Sequence, residues 1–492
     1  MKKYLIVLSM FCACAAFCGG VCKAPLSGKG KNFGVSEKAA AACAVKAGKE
    51  PAASGKNGKG ELYVAPKRAK GSVEKFNGVE NVTINYDESR ADIFKKLDIL
   101  EKIGGGGRVE TAWQWINEER PKVIKFLEDE YYGKLPPRPE KIEFKLVESS
   151  DNALGGIAKR RQYKIISTDA KGSHTFNVLL YYPKSASAEN PVPAFIYPNY
   201  GGNHTASDEK EVLFPEPGTW MRNNKACKIT DNKAHEYQRG THISRHPNKE
   251  IVARGYAVAL FYYCELYPDT ETYLMPEKSV YRIFDPAALG KELRSIPAWA
   301  WGDCRVLDLL ETLPFIDRAH IGVAGHSRLG KTAMLAGAYD TRFALAVSNS
   351  SCAGGAAMAR RNYGESFAWA AFHFKCWYLT KMQEYAKNIE TLPVDSQHFL
   401  AAMAPRLVYV LSGTEDLWAD PKGEFLSLAE AAKVYQLFGA RKVPTLDDLR
   451  VETPYIGDGF GFALYKGPHK IDLYNWNCIM DFTDAHGWTK KK

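Results

Sequence analysis

The sequence of 492 residues lacks a hydrophobic run long enough to span a membrane. Its apolar stretch at residues 4–17 has about 14 residues, whereas a membrane-spanning helix needs roughly 20. Two lysines precede this stretch and small residues follow it, which is the layout of a cleavable secretory signal peptide. We therefore predict a signal peptide at residues 1–22 and a secreted or periplasmic protein.

Cys18 and Cys22 lie at the end of this predicted signal. Lipoprotein processing acylates a cysteine at the cleavage point and prefers a small residue before it. Phe17 and Val21 stand at that place here. Lipid anchoring is therefore the less favoured alternative to plain secretion.

Net charge is absent from the body of the chain. Residues 1–76 hold 14 basic and 4 acidic residues, an excess of ten that equals the +10 of the whole sequence. The remaining residues are balanced in charge, so the sequence does not support nucleic-acid binding.

Aromatic and large apolar side chains are nearly absent from residues 23–71, which are mainly alanine, glycine, lysine and serine. Such a segment cannot bury enough apolar surface to offset its ordering entropy. We predict a flexible linker over residues 23–76, followed by one folded domain at 77–492. A cationic interaction tail is the alternative reading of the linker.

Metal-type cysteine spacing is also absent. Outside the N-terminal region no CxxC occurs, and six cysteines allow 15 disulfide pairings, so we treat them as structural or free. The sequence contains no metal-binding or nucleotide-binding motif, so we predict no cofactor. No internal repeat of 20–50 residues is evident. The six cysteines are Cys227, Cys264, Cys304, Cys352, Cys376 and Cys478.

Strand and helix patterns alternate through the middle of the chain. A helical pattern at 111–132 precedes the strands, and a second at 295–313 lies between YAVALFYY and IGVAGHS. This alternation predicts an α/β fold with a mostly parallel sheet covered by helices on both faces. The strand-like stretches are IEFKLVE, RQYKIIST, FNVLLYYP, PAFIYPNY and YAVALFYY.

The segment HIGVAGHSRLGKTAMLAGAYD carries the main catalytic signal. Its G-x-S-x-x-G pattern, Gly325 to Gly330 around Ser327, is close to the G-x-S-x-G nucleophile elbow of α/β-hydrolases. An apolar strand precedes it and a small-residue helix follows, as the elbow requires. We predict that Ser327 is a nucleophile, with an ordinary surface turn as the alternative.

A serine nucleophile needs a base, which in this fold follows it in the chain. His469 lies in a Gly-Pro turn before a final helical segment, where the last catalytic loop is expected. His373 lies among aromatic residues, His398 precedes a strand and His486 is nearly terminal. We predict that His469 is the general base.

The acid that orients the base is expected at the C-terminal end of a strand. The strand LVYVLSG at 407–413 is followed by Glu415, Asp416 and Asp420. We predict Asp416 as the acid and keep Asp420 and Glu415 as alternatives, since loop solvation or helix capping also suits such residues.

With these motifs the sequence resembles a known family, the bacterial glucuronoyl esterases of carbohydrate esterase family 15. The resemblance runs from about residue 113 to the C-terminus, and GHSRLGK is its most specific block. The further blocks are PNYGGNHT, ARGYAVALFYYCELYPD, AWAWGDCRVLD, GTEDLWADPKGEF and GPHKIDLYNW. The resemblance implies an α/β-hydrolase of three layers that cleaves the ester between glucuronic acid, often 4-O-methylated and carried on xylan, and lignin alcohols.

The same resemblance implies roles for individual residues. Ser327 attacks the uronate carbonyl, His469 relays the proton, and Arg328 stabilises the oxyanion through its backbone N–H and its guanidinium. Three positions match residues that contact the sugar: Lys331 as a donor, Glu365 as an acceptor and Trp418 as an apolar wall. Their alternatives are a surface lysine, a capping glutamate and a buried tryptophan.

The sequence departs from the fungal members of the family in two places. Those members carry a catalytic glutamate at the end of the strand after the nucleophile, where this chain has AVSNSSCAGG with Ser350. Asp416 on the later loop is expected to replace that acid. The fungal cysteine before the serine is His326 here, so no disulfide is expected at this loop and His326 is expected to pack.

Other functions remain open at the level of sequence. They are an acetylxylan esterase or other carbohydrate esterase, a polysaccharide-binding homologue that has lost turnover, and, least favoured, a peptidase. An insertion near 206–250 with Trp220, His235 and His242 could form a substrate wall. We expect a monomer that acts on glucuronoxylan or a lignin–carbohydrate ester.

Overall fold

A computed structural model describes residues 60–66 and 84–489 of the chain. The strands of this part form one ten-stranded sheet. They are β1 (Lys141–Ala153), β2 (Ala158–Asp169), β3 (Gly172–Pro183), β4 (Val192–Asn199), β5 (Ala257–Tyr262), β6 (Ile316–His326), β7 (Leu345–Asn349), β8 (Leu407–Gly413), β9 (Tyr455–Ile456) and β10 (Phe460–Tyr465). All five strands predicted from the sequence are present.

The order of strands across the sheet is β1-β2-β3-β5-β4-β6-β7-β8-β10-β9. The six central strands from β5 to β10 are parallel. The pairs β1–β2, β2–β3, β3–β5 and β9–β10 are antiparallel. The predicted mostly parallel sheet is therefore confirmed at its centre, and antiparallel strands extend both edges.

Helices cover both faces of the sheet, which gives the three layers. On one face α3 and α10 bury the alternate strand residues Phe195, Val258 and Tyr409. On the other face α4, α5, α8 and α9 bury the residues between them, such as Ile196 and Ala259. The α-helices of the described residues are α1 (Ala112–Gln114), α2 (Arg120–Phe126), α3 (Asn248–Ala253), α4 (Ser295–Thr312), α5 (Arg328–Tyr339), α6 (Phe367–His373), α7 (Met382–Lys387), α8 (Ser396–Ala401), α9 (Pro421–Gln436) and α10 (Leu473–Ala485).

The two predicted helices are confirmed, with one difference. The helix at 295–313 is α4. The helical segment at 111–132 is α1 and α2 joined to two π-helical stretches, Trp115–Glu119 and Leu127–Tyr131. The periodic pattern in the sequence reports which side chains are apolar and not which backbone groups are hydrogen-bonded. The π-helical stretches were therefore not predicted.

Four residues of the segment predicted as a linker contact the folded domain. Tyr63 N–H donates to Leu449 O at 3.0 Å, and Leu62 forms a bridge with Arg450. Glu61 O accepts from Val451 N–H, and Gly60 O accepts from the Arg450 guanidinium, so residues 60–63 pair with the folded domain. The predicted signal peptide, with Cys18 and Cys22, and the linker apart from residues 60–66 lie outside the described residues.

Three further observations concern the described residues. Their six cysteines are all buried and none is paired in a disulfide. Over residues 60–66 and 84–489, no helix has the length and apolar character to cross a membrane. In the same part of the chain no cluster of three potential metal ligands occurs.

One buried carboxyl group gives a prediction about stability. Asp303 on α4 is fully buried, and neither carboxyl oxygen has a hydrogen-bond partner among the described residues. Burial raises its pKa well above the ordinary value. Above about pH 4 the group ionises in the unfolded chain, whereas in the folded protein it stays protonated to a higher pH.

The stability contributed by protonated Asp303 is present below about pH 4 and is lost as pH rises toward its folded pKa, by up to about 1.4 kcal/mol per pH unit. We expect Asp303→Asn to raise the free energy of unfolding by roughly 1–3 kcal/mol at pH 8 and by less at pH 5. Urea denaturation at both pH values measures the difference. An asparagine variant that is less stable than wild type by the same amount at both values would contradict this expectation.

Candidate active site

Ser327 lies on a strained turn between β6 and α5. Its backbone has φ 57° and ψ −129°, a conformation that non-glycine residues rarely adopt. Its N–H donates to Asn349 O at 2.8 Å, which fastens the turn to the end of β7. The strain and the fastening together project the serine above the C-terminal edge of the sheet.

The glycines of the motif are required by close contacts. A Cβ on Gly325 would lie 1.8 Å from the Leu329 carbonyl oxygen, so no other residue fits there. A Cβ on Gly330 would meet Ser351 Cβ at 3.0 Å. The second glycine therefore serves the contact between α5 and the turn after β7, which accounts for its place one residue later than in G-x-S-x-G.

Arg328 begins the helix that follows the nucleophile. As the first residue of α5 it has a backbone N–H with no acceptor inside the helix, and the helix dipole adds positive potential at the same point. A developing oxyanion beside Ser327 would meet both.

His469 and Asp416 form the pair that the sequence predicted. Asp416 is buried in the loop after β8, and its Oδ2 lies 2.6 Å from His469 Nδ1. The His469 ring is about one third exposed and packs against His326 at 4.4 Å between ring centroids. Since His326 precedes the nucleophile directly, the imidazole lies beside the Ser327 turn with its Nδ1 held by the carboxylate.

The two alternative acids have other positions. Glu415 is exposed, and its backbone N–H donates to Gly467 O. Asp420 is buried against Arg361, with contacts of 3.0 and 2.9 Å to the guanidinium Nε, and caps the start of α9. Only Asp416 among these three carboxylates contacts His469.

Arg328 is held by a cluster of charges. Its Nη1 lies 2.5 Å from Asp269 Oδ2 and 2.9 Å from Glu271 Oε1, and its guanidinium carbon lies 4.5 Å from the centre of the Trp377 ring. Arg222 pairs with the same two carboxylates. Although burial opposes ionisation, the two guanidinium groups lower the pKa of Asp269.

The three predicted sugar-contact residues form one connected series. Lys331 Nζ on α5 lies 2.7 Å from Glu365 Oε1, and Glu365 Oε2 accepts from Trp418 Nε1 at 2.9 Å. Lys331 also donates to Ser351 O and Ala353 O, both at 2.6 Å. Although burial favours the neutral amine, Glu365 raises the pKa of Lys331 and the amine stays charged.

This arrangement differs in one respect from the sequence prediction. Lys331 is buried and all three of its N–H donors have protein acceptors. A direct bond from Lys331 to a sugar hydroxyl requires the loss of one of these contacts. Trp418 is half-buried and meets Trp369 edge to face at 4.8 Å, so its ring is the more accessible member of the series.

The turn after β7 is held by a carboxylate from another element, which the sequence did not indicate. Glu424 on α9 is fully buried and accepts from Ser351 N–H at 2.7 Å and Cys352 N–H at 3.1 Å. Burial raises its pKa to about 8. Ser350 instead bonds to Tyr465, so the place of the fungal glutamate holds a hydroxyl while a carboxyl from another helix fixes the turn.

The remaining missed residues also come from other segments of the chain. Asp269 is the last residue of the block ARGYAVALFYYCELYPD, and this block was the one feature of the sequence that pointed to it. No feature of the sequence pointed to Arg222, Glu271 or Trp377. The site as a whole combines a strained serine, a histidine oriented by a buried carboxylate, a fixed cation and a polar series that ends in an indole. Such a set can perform nucleophilic acyl transfer on an ester.

Comparisons with known proteins identify the family. A family model described as glucuronyl esterase of fungi matches residues 226–439. A curated carbohydrate esterase from an unknown prokaryotic organism is 36% identical over 408 residues, 82% of this chain and 92% of that protein. The solved structure of a glucuronoyl esterase from Solibacter usitatus is 33% identical with a TM-score of 0.73, and covers 82% of this chain and 100% of its own.

A promiscuous esterase of carbohydrate esterase family 15 from a marine bacterial metagenome is also similar. Its solved structure is 34% identical with a TM-score of 0.72, and the match covers 82% of this chain and 100% of that chain. The sequence match and the structural matches each cover about four fifths of the protein. The chain belongs to carbohydrate esterase family 15, the glucuronoyl esterases, and is a carboxylic ester hydrolase with the α/β-hydrolase fold.

Proposed function

We propose that this enzyme hydrolyses the ester between glucuronic acid, with or without a 4-O-methyl group, on glucuronoxylan and the alcohols of lignin. The observation that carries the proposal is the connected series from Lys331 through Glu365 to Trp418. It starts on the helix of the nucleophile and ends in an indole. A uronate ring offers the hydroxyls and the apolar face that suit a carboxylate and an indole held in this way.

In the proposed first step the Ser327 hydroxyl loses its proton to His469 Nε2 as its oxygen attacks the uronate carbonyl carbon. Asp416 accepts the Nδ1–H bond and stabilises the imidazolium that forms. The carbonyl oxygen becomes an oxyanion, which the Arg328 N–H and the nearby guanidinium stabilise. The fixed cation is worth more in a cleft that excludes water than in bulk solvent.

Collapse of the tetrahedral intermediate breaks the bond to the alcohol oxygen. His469 returns its proton to that oxygen, and the alcohol leaves while the uronoyl group remains on Ser327. Water then loses a proton to His469 and attacks the acyl-enzyme. The second collapse gives glucuronic acid and restores the serine hydroxyl.

An acetyl ester fits this site less well. An acetyl group has neither hydroxyls nor a ring, so Glu365 and the apolar face of Trp418 would gain nothing from it. A site built to hydrogen-bond hydroxyls discriminates strongly against a substrate that lacks them. The geometry therefore favours the uronate over an acetylxylan substrate.

The substrate class is tested by comparing two reactions of the purified wild-type enzyme. Release of benzyl alcohol from benzyl glucuronate is expected to be the faster reaction, and release of acetate from acetylated xylan the slower. Fast acetate release without uronate ester cleavage would contradict the proposed substrate.

The cation beside the nucleophile gives a smaller prediction. Arg328→Lys keeps a positive charge but loses the planar fork that Asp269 and Glu271 hold. We expect kcat/KM for benzyl glucuronate to fall by about 10- to 100-fold, mainly through kcat, because the guanidinium acts on the oxyanion. Steady-state kinetics measures both constants, and an effect confined to KM would show that the residue binds the ground state instead.

The remaining predictions rest on the sequence. The layout of residues 1–22 supports export to the periplasm or the medium, with lipid anchoring as the less favoured alternative. An exported enzyme would meet its polymeric substrate outside the cell. The predicted monomer stays a prediction.

A further inference from the structure

A second cavity lies at the same edge of the sheet as Ser327. It has a volume of about 430 Å³ and opens between the start of β3 and the end of β5. Since β3 is antiparallel to β5, its first residues lie at the C-terminal end of the parallel strands. The volume is within the range of about 300–1,000 Å³ that small-molecule sites occupy.

Buried polar side chains with unfilled hydrogen-bonding capacity line the floor of this cavity. His174 is 6% exposed. A backbone group of Glu265 lies near its ring, but neither ring nitrogen has a hydrogen-bond partner of ordinary geometry among the described residues. Burial lowers its pKa to about 4, so the ring is neutral at pH 7 and offers one donor and one acceptor. A buried polar group left in this state destabilises the protein unless something binds to it.

A second floor residue, Glu265, fixes the shape of the cavity. Its Oε1 accepts from Glu216 N–H at 2.9 Å, and its two carboxyl oxygens lie 3.4 Å from the Asn177 amide groups. Burial raises its pKa to about 8, so it is mostly uncharged at pH 7. Because Glu216 belongs to the insertion at 206–250, this contact holds the insertion over the start of β3.

The insertion supplies the aromatic wall. Trp220 lines the cavity together with Pro217 and Thr219 and is half-buried. It follows Glu216 by four residues, so the contact to Glu265 also places the indole. The wall is therefore formed before any ligand arrives, which lowers the entropic cost of binding.

The charges around the cavity lie at its rim. Glu216 is paired with Lys164 at 2.7 Å, while Lys278 and Arg282 are exposed. The interior thus presents an uncharged imidazole and an uncharged carboxyl group beside an indole. Hydroxyl groups on an apolar ring match this interior better than an ionic group does.

The distance between this cavity and the nucleophile suits a polymeric substrate that reaches both. From β6, which ends beside Ser327, the sheet order runs through β4 and β5 to β3. Two to three strand spacings separate the cavity from the nucleophile, or roughly 10–14 Å. Arg222, two residues after Trp220, also pairs with Asp269 in the charge cluster around Arg328.

We propose that this cavity is an accessory carbohydrate subsite that binds neutral sugar residues of the xylan chain whose uronate ester is cleaved at Ser327. The choice of xylan rests on the proposed function. His174 exchanges hydrogen bonds with sugar hydroxyls, and Trp220 covers the apolar face of a ring. The insertion at 206–250 then binds the polymer beside the nucleophile.

The test is calorimetric titration of the inactive full-length variant Ser327→Ala with xylotetraose, which carries neither ester nor uronate. Saturable binding is expected. Adding Trp220→Ala or His174→Asn is expected to weaken it by about tenfold or more. Trp418→Ala, in the uronate site, and Tyr237→Ala, an exposed aromatic residue of the same insertion, are expected to leave Kd within about twofold.

Thermal unfolding shows whether each variant is folded, and Trp220→Ala carries the test if His174→Asn is not. The proposal fails if millimolar xylotetraose gives no saturable binding, or if Trp418→Ala weakens binding while Trp220→Ala does not. Binding without uronate esterase activity in wild type would refute the proposed substrate alone. Esterase activity without binding would refute the subsite alone.

Discussion

His469→Ala is expected to lower kcat for benzyl glucuronate by a factor on the order of 10⁴–10⁶. Without the imidazole, Ser327 has no base to take its proton, and the departing alcohol has no acid to protonate it. Both halves of the reaction are affected, so kcat falls far more than KM rises. Steady-state release of benzyl alcohol, extended to long times at high enzyme concentration, measures the loss.

The chain offers a matched control for this variant. His320 Nδ1 lies 2.7 Å from Asp317 Oδ2, so it is a second histidine paired with an aspartate. It lies in the N-terminal half of β6, seven residues before the nucleophile, and the extended strand separates the two by about 20 Å. His320→Ala is expected to leave kcat/KM within about twofold, as surface substitutions usually do. If both alanine variants lost activity equally, the loss would report folding, and the role given to His469 would be wrong.

Asp416→Ala is expected to lower kcat by about 10³- to 10⁴-fold. The carboxylate fixes the His469 tautomer and stabilises the imidazolium, and both effects are lost with it. Asp416→Asn is expected to cause a similar loss, because an amide can hold the ring in the wrong tautomer while the geometry stays intact. Kinetics of the two variants with benzyl glucuronate measures the effect.

The other two carboxylates of this loop serve as controls. Glu415→Ala changes an exposed side chain and is expected to leave kcat within about twofold. Asp420→Asn disturbs a buried pair with Arg361, so it is expected to lower the free energy of unfolding more than kcat. An active Asp416→Ala enzyme together with an inactive Glu415 or Asp420 variant would move the acid to that residue.

The nucleophile turn could be predicted because its signal is local. Gly325 is required by a contact with a residue four positions away, and the strand and helix that flank Ser327 show their own hydrophobic patterns. All the information for the elbow is therefore contained in about 20 consecutive residues. The central strands were predictable for a similar reason, since residues buried on both faces of a sheet form uninterrupted apolar runs.

The partners of Arg328 could not be predicted in this way. Asp269 and Glu271 lie about 60 positions before it, and Arg222 lies more than 100 before it. Only the order of strands, β5-β4-β6, brings their loops to one edge of the sheet. Sequence patterns relate residues that are close along the chain, so they do not detect that these distant residues are close in space.

The same limit applies to Glu424, because a glutamate on a helix is usually exposed and nothing beside it in the sequence indicates burial. The structure turns it inward to the N–H groups of Ser351 and Cys352, where the nearest strand lacks a carboxylate of its own. Residues 60–63 show the converse case. Their composition indicated a linker, but their backbone groups pair with residues 449–451, and such pairing does not depend on side-chain type.

The role of Ser327 as the nucleophile is tested most directly by comparing wild type with Ser327→Ala in the hydrolysis of benzyl glucuronate at equal enzyme concentration. Wild type is expected to release benzyl alcohol and glucuronate in equal amounts. A folded Ser327→Ala enzyme is expected to have a rate lower by a factor on the order of 10⁴ or more. A Ser327→Ala enzyme that kept a tenth of the wild-type rate, or a wild type that failed to cleave the ester, would contradict these expectations.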